Sequence, residues 1–387
     1  MIPYGRQTIS EADIAAVVRV LQSDFLTQGP QVPAFEDSLK NYCGAQHAFA
    51  VNSATSALHL ACLALGLGKG DSLWTSPITF TASANCARYC GADVDFVDID
   101  PNTLNMSPAA LEAKLKAAKV SGSLPKIVVP VHFAGEPCDM AAIHALSQQY
   151  GFKIIEDASH AVGGSYQGGK IGNGEYSDIT VFSFHPVKII TTAEGGAALT
   201  NSQELAAKLA LLRSHGITRN PEEMTREPDG AWYYQQTDLG YNYRMTELQA
   251  ALGVSQMQRI DEFVARRHEL AARYDRLLTH LSLILPQRNP QNRSALHLYP
   301  VQVRADSGKT RRQIFDYLRQ HGIGANVHYI PVHTQPYYRQ HFGFKTDDFP
   351  AAEAYYAGAI SIPLYFGLTE AEQDKVAETL AQAFQAA

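Results

Sequence analysis

One lysine stands where its chemistry could change. Lys188 follows the apolar, strand-like run "VFSF" and a proline in "VFSFHPVKIITTAEGG", residues 181–196. A lysine next to the end of a buried strand loses hydration, which lowers the pKa of its ammonium group and frees a neutral amine. A neutral amine condenses with an aldehyde to form a Schiff base. A lysine considered alone is far more often a surface residue, so neighbouring motifs must decide between the two interpretations.

The segment "NSATSAL", residues 52–58, could bind a phosphate group. It follows the strand-like run "AFAV" and opens a helix, so the backbone N–H groups of Ala54, Thr55 and Ser56 are expected to face an anion. The hydroxyls of Thr55 and Ser56 add donors, and Ser183 could donate to the same phosphate. An ordinary Ser/Thr helix cap is the commoner use of such a motif when it stands alone.

Two further strand ends carry groups that suit an aromatic heterocycle. "IIEDASH", residues 154–160, ends a buried-looking strand with Glu156 and Asp157. A carboxylate buried there without a partner costs roughly 2–7 kcal/mol, so Asp157 could hold a protonated pyridine nitrogen or form a structural ion pair. His160 could touch the same ring or be a loop histidine. Phe80 of "PITF" could stack on the ring or belong to the core.

A phosphate cradle, a stacking aromatic, a carboxylate and a Schiff base lysine thus follow one another on successive strand ends. Pyridoxal 5'-phosphate requires this set of groups. Two other phosphate-loop patterns fail. "GSYQGGK" has the Walker spacing, but Ile171 replaces the magnesium-binding hydroxyl. "GLGKGD" follows a helix rather than a strand, which removes the main support for a nicotinamide-dependent oxidoreductase.

Strand-like runs alternate with helix-period segments from residue 48 to about residue 200. This order predicts an α/β fold with a mostly parallel, doubly wound sheet, whose ligands bind at the carboxyl ends of the strands. One long amphipathic helix is predicted over "MTELQAALGVSQMQRIDEFVARRHELAARYDRLL" and leads to a smaller α/β domain. We therefore expect a large cofactor-binding domain at residues 1–255 and a small C-terminal domain at 256–387.

Composition excludes several classes of protein. The 387-residue chain carries a formal charge of −6, which argues against a general nucleic-acid binder. Its five cysteines form no CxxC pair and no zinc-like cluster, so reduced thiols and no metal site are expected. The N-terminus does not resemble a signal peptide, and polar residues interrupt the longest apolar stretch. We expect a cytoplasmic protein without a membrane partner.

From end to end, the chain resembles the DegT/DnrJ/EryC1/StrS sugar aminotransferases, a family of fold-type I pyridoxal phosphate enzymes. The motifs that carry this resemblance are "FLTQGPQVPAFE", "NSATSAL", "EDASHAVGGSYQGGKIG", "VFSFHPVKIITTAEGG", "RSHGITR", "LGYNYRMTELQAALG" and "ANVHYIPVH". The resemblance implies a large domain, a smaller C-terminal α/β domain and an obligate homodimer with shared active sites.

The resemblance also implies a role for each candidate residue. Lys188 would be the Schiff base lysine and Asp157 the partner of the pyridine nitrogen, which makes them the catalytic pair. The remaining cofactor contacts would be Phe80 on the ring, His160 beside its O3′ atom, Ala54, Thr55, Ser56 and Ser183 at the phosphate, and Asn242 from the other subunit.

A finer likeness points to the branch of this family that makes pseudaminic acid, the UDP-4-amino-4,6-dideoxy-N-acetyl-β-L-altrosamine transaminases. Its marks are "IPYG", "SDFLTQGP", "SPITFTASAN" and the Lys188 motif. The positions that would contact substrate are Tyr4, Asp24, Phe25, Leu26, Thr27, Asn326, Val327, His328 and Tyr329. Family members that dehydrate sugars replace the lysine by histidine, so the presence of Lys188 favours transamination.

The implied reaction moves the amino group of glutamate to C4 of a UDP-linked 4-keto-6-deoxy N-acetylhexosamine, UDP-2-acetamido-2,6-dideoxy-β-L-arabino-hex-4-ulose. Pyridoxamine phosphate would carry the amino group between the two half-reactions. A D-configured 4-keto sugar or another nucleotide carrier is the nearest alternative substrate. A nicotinamide-dependent sugar-nucleotide oxidoreductase and a non-catalytic ligand sensor are the alternatives of a different class. Arg213, Arg219 and Arg244 are candidates for the UDP diphosphate, each explained equally well as a surface residue.

Overall fold

The computed structural model describes residues 1–386, and within that range the chain forms sixteen strands and thirteen α-helices. The strands are β1 (Ile2–Pro3), β2 (His47–Val51), β3 (Ser72–Thr75), β4 (Asp93–Phe96), β5 (Ile127–Val129), β6 (Lys153–Asp157), β7 (Ser165–Tyr166), β8 (Gly169–Lys170), β9 (Ile179–Ser183), β10 (Gly196–Thr200), β11 (Ile217–Thr218), β12 (Gln235–Gln236), β13 (Leu283–Ile284), β14 (Tyr299–Val303), β15 (Ile323–Gly324) and β16 (Ala359–Ile362). The helices are α1 (Glu11–Leu21), α2 (Gln31–Cys43), α3 (Ala54–Ala64), α4 (Ala82–Tyr89), α5 (Pro108–Ser121), α6 (Met140–Tyr150), α7 (Gln203–Leu212), α8 (Glu247–Met257), α9 (Ile260–Leu278), α10 (Arg311–Gln320), α11 (Pro336–Phe342), α12 (Pro350–Gly358) and α13 (Glu370–Gln385).

A seven-stranded sheet organises the larger part of the chain. Its strand order is β2, β10, β9, β6, β5, β3, β4. The neighbours from β9 to β4 are parallel, whereas β10 runs antiparallel to both β2 and β9. Every residue of β5, β9 and β10 is buried, as expected for a sheet covered on both faces. The predicted mostly parallel α/β sheet is confirmed.

Two hydrophobic cores lie on opposite faces of this sheet. Neighbouring residues of one strand belong to different cores: Ile154 and Phe182 to one, Ile155 and Val181 to the other. Successive side chains of a strand point to opposite faces, so this alternation is what a sheet buried on both sides produces. The same alternation places Glu156 and Asp157, the last two residues of β6, on opposite faces.

The long helix predicted after residue 245 is wrong, because the structure contains two helices there. Helix α8 ends at Met257, and Arg259, with φ −115° and ψ 8°, separates it from α9. Helix α8 packs against α1 and α2, whereas α9 packs against α13. The two helices therefore pack against different partners, and the non-helical backbone of Arg259 separates them.

A third core lies in the C-terminal part of the chain. The sheet β13–β14–β16 packs with α9, α10 and α13 around residues such as Tyr274, Tyr299 and Leu380. The first strand, β1, pairs in parallel with β15, so the first residues of the chain contact this part. The domain boundary at residues 255/256 stays a prediction. No helix within residues 1–386 combines the length and apolar character needed to cross a membrane.

Candidate active site

A cavity of about 850 Å³ opens where β2, β6 and β9 end. Thirteen of the predicted site residues line it: Tyr4, Ala54, Thr55, Ser56, Phe80, Asp157, His160, Ser183, Lys188, Asn326, Val327, His328 and Tyr329. They are separated by up to 325 positions in the chain, and the fold brings them to one edge of the sheet. This is the edge at which doubly wound sheets bind ligands.

Lys188 follows the end of β9 and lines this cavity. Lys188 is half-buried overall, and its amine is densely surrounded by protein atoms. Loss of hydration lowers the pKa of the Lys188 ammonium group to about 8, and the negative charge of Asp157 opposes this shift. The amine is therefore far easier to deprotonate than that of a surface lysine.

Asp157 ends β6 and is 4% exposed. Its Oδ1 accepts hydrogen bonds from Ser159 Oγ at 2.6 Å and from the Ser159 backbone N–H at 3.1 Å. Its Oδ2 accepts a hydrogen bond from Ser83 Oγ at 2.6 Å. Three donors satisfy much of a buried carboxylate, and Asp157 also lines the cavity.

Glu156, the neighbouring acid, belongs to a separate network on the other face of the sheet. Its Oε2 lies 2.8 Å from His132 Nε2, and Ser177 and Thr180 donate to Oε1. Burial would raise the pKa of the Glu156 carboxyl, but these hydrogen bonds outweigh burial and hold that pKa below its usual value. The Cys138 backbone N–H donates to His132 Nδ1 at 3.0 Å, which places the ring hydrogen on Nε2. Both carboxylate oxygens of Glu156 therefore accept hydrogen bonds on the face of the sheet opposite the cavity.

The first turn of α3 offers backbone donors to the cavity. Ser53 caps the helix, and its Oγ accepts the Ser56 backbone N–H at 3.1 Å, so this N–H is not free as the sequence suggested. The N–H groups of Ala54 and Thr55 belong to the first turn, whose donors have no intrahelical acceptor. A Cβ on Gly196 would lie 2.5 Å from the Ala54 nitrogen, so glycine allows β10 to begin directly beside this turn.

An aromatic wall faces this helix end across the cavity. Phe80 is 60% exposed, and its ring centroid lies 6.4 Å from that of Tyr329. His160 Nδ1 accepts the Ala134 backbone N–H at 3.2 Å, so its hydrogen is on Nε2, which donates to the Tyr329 hydroxyl at 3.0 Å. The phenolic hydrogen of Tyr329 remains available to a ligand.

Burial keeps the ionisable groups of this wall neutral. It lowers the pKa of His160 and His297 well below the usual value, and the charge of Lys188 adds to the effect. Burial likewise lowers the pKa of His328 to about 3 and raises that of Tyr329. Among residues 1–386, Lys188 is thus the sole residue lining the cavity that combines a cationic form near neutral pH with burial.

The substrate-matching segment after β15 is held in place by its backbone. Asn326 exchanges backbone hydrogen bonds with Ser361 of β16, at 3.1 and 2.8 Å. His328 Nδ1 lies 2.8 Å from the Ser361 hydroxyl, and the Tyr355 hydroxyl donates to the His328 carbonyl at 2.7 Å. The Tyr4 and His328 rings lie 5.1 Å apart. The segment therefore forms one side of the cavity, with Tyr4 beside it.

Five predicted residues lie outside the cavity: Asp24, Phe25, Leu26, Thr27 and Asn242. All five are exposed, and Phe25 lines a different cavity beside α1 and α8. None of the three candidate arginines lines the active-site cavity either. Arg213 pairs with Glu36, Arg244 donates to Ser214, and Arg219 is exposed.

The structure also adds residues that the sequence did not indicate. Ser83, Ser159 and Thr79 line the cavity or hold Asp157, and His297 packs 4.5 Å from the His160 ring, centroid to centroid. Thr79 and Ser83 are four residues apart around Phe80, a spacing that could have suggested a shared helical face. Nothing in the sequence around His297 marked it.

The sequence pattern of the DegT/DnrJ/EryC1/StrS aminotransferase family matches residues 7–381. The chain belongs to this family. It is 41% identical over 382 residues to the spore coat polysaccharide biosynthesis protein SpsC of Bacillus subtilis, covering 98% of this chain and 96% of that one. It is 37% identical to a UDP-4-amino-4,6-dideoxy-N-acetyl-beta-L-altrosamine transaminase of Campylobacter jejuni, with the same coverage.

Solved structures of aminotransferases share the complete fold. Helicobacter pylori PseC, described as an aminotransferase involved in the biosynthesis of pseudoaminic acid, superposes with a TM-score of 0.91 at 31% identity, and each chain is covered completely. The PLP form of Spr1654 of Streptococcus pneumoniae superposes with a TM-score of 0.88 at 29% identity, covering 99% of this chain and 98% of that one. The fold-type I prediction is confirmed.

The aminotransferase family uses pyridoxal phosphate, and the residues of this chain fit that cofactor. The cavity provides first-turn backbone donors for a phosphate, an exposed aromatic for ring stacking, a buried carboxylate and a lysine with a lowered pKa. His297 Nδ1 is buried without a hydrogen-bond partner among residues 1–386, so a polar atom is left for a ligand. The protein is a pyridoxal phosphate-dependent aminotransferase that acts in nucleotide-sugar pathways.

Proposed function

We propose that this aminotransferase moves the amino group of glutamate to C4 of a UDP-linked 4-keto-6-deoxy N-acetylhexosamine. The substrate proposed is UDP-2-acetamido-2,6-dideoxy-β-L-arabino-hex-4-ulose. The amine of Lys188, enclosed in the cavity beside the charge of Asp157, carries the proposal for the reaction. The names of the Campylobacter jejuni relatives, which are 37% identical, support the choice of sugar.

Lys188 would move the proton in both half-reactions. Its amine takes the proton from Cα of glutamate and later delivers a proton to C4 of the sugar. An amine must be neutral to accept a proton, and with a pKa of about 8 roughly a tenth of the Lys188 amine is neutral at pH 7. Bound pyridoxal phosphate supplies the carbonyl that takes up the amino group and a ring that withdraws electrons from the reacting carbon.

The other cavity residues would hold and orient the reactants. Asp157 would keep the ring nitrogen protonated, and Phe80 would stack on the ring from the open side. Thr55, Ser183 and the first turn of α3 would bind the phosphate. Ser56, whose hydroxyl donates to Asn52 Oδ1 at 2.7 Å, would support that turn rather than present a free backbone N–H.

Tyr4 and the segment Asn326–Tyr329 would form the sugar side of the site. The phenolic hydrogen of Tyr329 is available because His160 donates to its oxygen. Neutral histidines and a tyrosine suit the hydroxyl, amide and ketone groups of a sugar, which are hydrogen-bond donors and acceptors without charge. Charged partners for the UDP diphosphate and the glutamate carboxylates are required in addition.

We infer that a second subunit completes the site. Residues 24–27 and Asn242 are exposed and do not line their own cavity, which Asn242 meets through its carbonyl's hydrogen bond from Asn52 Nδ2 at 3.4 Å, although the family resemblance assigns all five to the active site. The cavity of one subunit also presents little positive charge to an anionic substrate within residues 1–386. A two-fold dimer would bring Asn242 of the partner subunit to each cavity.

Complementation tests the shared site. Asn242→Ala and Lys188→Ala each lower turnover, and we expect their mixture to regain activity after subunit exchange. In a hybrid dimer one site carries both substitutions and the other carries neither. Random pairing of the two variants therefore makes about a quarter of all active sites intact. Activity equal to the average of the separate variants would contradict a shared site.

Absorption spectroscopy tests the reaction and the sugar. Glutamate should bleach the yellow band of the holoenzyme, and one 4-keto sugar from a UDP-linked panel should restore it. Lys188→Ala serves as the control in which neither change is catalysed. Faster restoration by the D-configured epimer would replace the proposed sugar, and a band unaffected by glutamate would refute the proposed donor.

A further inference from the structure

We propose that Ser83 is a positioning residue that joins the carboxylate of Asp157 to the loop carrying Phe80, so that both contacts to the cofactor ring are held as one unit. This inference rests on the proposed role of Asp157 at the ring nitrogen. Ser83 lies in the first turn of α4, whereas Asp157 ends β6, so the two residues come from separate elements of the fold.

The contact between the two side chains is short and dry. Ser83 Oγ lies 2.6 Å from Asp157 Oδ2, and the residues are 1% and 4% exposed. Ser83 also approaches the Phe80 carbonyl, but at 3.3 Å. A hydroxyl has one hydrogen to donate, and an ionised carboxylate accepts the shorter, charge-assisted bond. The Ser83 hydrogen is therefore committed to Asp157.

A second hydroxyl completes the chain of hydrogen bonds. Thr79 Oγ1 lies 2.7 Å from Ser83 Oγ, and both atoms are buried. Since the Ser83 hydrogen points at Asp157, Thr79 must be the donor in this pair. The direction is thus Thr79 to Ser83 to Asp157. Each bond in such a chain polarises the next, which strengthens the bond to the carboxylate.

The two hydroxyl residues of this hydrogen-bond chain flank Phe80 in the sequence, so their bonds fix the position of the loop that carries Phe80. Thr79 precedes Phe80, and Ser83 follows it by three residues. Phe80 is 60% exposed, so side-chain packing holds it weakly, and its position depends on the loop that carries it. Helix α4 has no side-chain cap from Thr81, and Ser83 is not used as a cap either. The two hydroxyls are instead directed to the Asp157 carboxylate, and this contact fixes the position of the Phe80 loop relative to β6.

Ser159 holds the other oxygen of Asp157 but has no such link. Its hydroxyl and its backbone N–H both reach Oδ1 from two residues along the same chain segment. This local turn orients the carboxylate relative to β6 alone. Ser83 is the donor that connects it to the Phe80 loop, so loss of Ser83 should affect both ring contacts.

The test measures pyridoxal phosphate binding to the full-length protein by equilibrium dialysis. Ser83→Ala should raise the dissociation constant roughly tenfold, as expected for a lost hydrogen bond to a charged group. Thr79→Val, which is nearly isosteric, should raise it about threefold. Thr75→Val is the matched control, because Thr75 is a buried residue on β3, which β5 separates from β6, and its hydroxyl donates to the Val129 carbonyl at 2.9 Å.

A double-mutant cycle separates positioning from general stability. Thr79 acts through Ser83, so the double variant should bind the cofactor no more weakly than Ser83→Ala alone. The pH midpoint of the visible band of the bound cofactor should move in Ser83→Ala and in Asp157→Asn in the same direction, and should not move in Thr75→Val. Additive effects of Ser83→Ala and Thr79→Val on the dissociation constant would overturn the proposal. So would a pH midpoint that moves equally in Thr75→Val.

Asp157→Asn distinguishes failure of this inference from failure of the proposed function. If Asp157→Asn weakens cofactor binding and Ser83→Ala leaves it unchanged, the positioning role of Ser83 is wrong while the role of Asp157 stands. If Asp157→Asn itself leaves binding unchanged, the proposed role of Asp157 is wrong. If thermal unfolding without cofactor shows that Ser83→Ala folds poorly, cofactor binding by Thr79→Val becomes the deciding measurement. A dissociation constant unchanged by Thr79→Val would then overturn the proposed chain of hydrogen bonds.

Discussion

Replacing Lys188 by methionine should stabilise the cofactor-free protein at neutral pH. The amine is held in a poorly hydrated place, which lowers its pKa from 10.5 to about 8. Such a shift means that the folded state pays to keep the ammonium form, and methionine has a similar length without a charge. The prediction is that the residue needed for catalysis costs stability.

The magnitude follows from the pKa difference. At 1.36 kcal/mol for each pKa unit, lowering from 10.5 to about 8 corresponds to about 3 kcal/mol as an upper limit. Because the side chain is half-buried, solvent screens the charge in part, and we expect about 1–3 kcal/mol. This value already includes the opposing attraction of Asp157.

The pH dependence fixes the sign. Between pH 8 and 10.5 the unfolded chain holds a proton on this lysine that the folded chain has released, so stability rises with pH in that window. The penalty is present in full below about pH 8 and disappears toward pH 10.5. The advantage of Lys188→Met should therefore be greatest at pH 7 and shrink as the pH rises.

Urea unfolding at pH 7, 8.5 and 10 measures this difference at one protein concentration, with pyridoxal phosphate removed. Lys375→Met is the matched control, because it removes the same charge from an exposed position on α13. A Lys188→Met protein that is less stable than the parent at pH 7 would refute the reasoning. So would a difference that stays constant from pH 7 to pH 10.

Three further substitutions probe the site. Asp157→Asn should raise the pyridoxal phosphate dissociation constant at least tenfold and slow both half-reactions, and equilibrium dialysis with an unchanged constant would contradict its role. Glu156→Gln should cost about 1–3 kcal/mol in urea unfolding, because a neutral amide replaces the buried carboxylate that accepts hydrogen bonds from His132, Ser177 and Thr180, and unchanged stability would show that the network contributes little. Phe80→Ala should weaken cofactor binding about fivefold with little loss of stability, since Phe80 is exposed. Equal stability losses in Phe80→Ala and Glu156→Gln would contradict that contrast.

Much of the fold was predictable because the strand-forming runs carry their own evidence. Buried parallel strands are continuous apolar runs, and the groups that follow them reach the same sheet edge, so Lys188, Asp157 and Ser183 could be placed together from their order alone. The break at Arg259 was not predictable from periodicity. Both α8 and α9 are helical, and only the partners against which they pack divide them.

Site residues were predictable from the sequence where the chemistry allows only one or two residue types. Their hydrogen-bond partners were not predictable where the fold brings those partners from distant parts of the chain. Of two adjacent acids, the alternation of β6 directs Asp157 to the cavity and Glu156 to His132, which lies 24 residues earlier. The Ser83 hydroxyl reaches Asp157 across 74 residues. Such contacts depend on tertiary structure, for which a single sequence contains no spacing rule.

Borohydride reduction followed by peptide mass mapping tests the central claim most directly. Holoenzyme purified with pyridoxal phosphate is reduced, digested and searched for the phosphopyridoxyl mass, with Lys188→Ala treated in parallel. We predict that the mass lies on Lys188 and is absent from the variant. The modification on another lysine, or its absence from reduced, fully loaded protein, would contradict the assignment of Lys188 as the residue that binds the cofactor covalently.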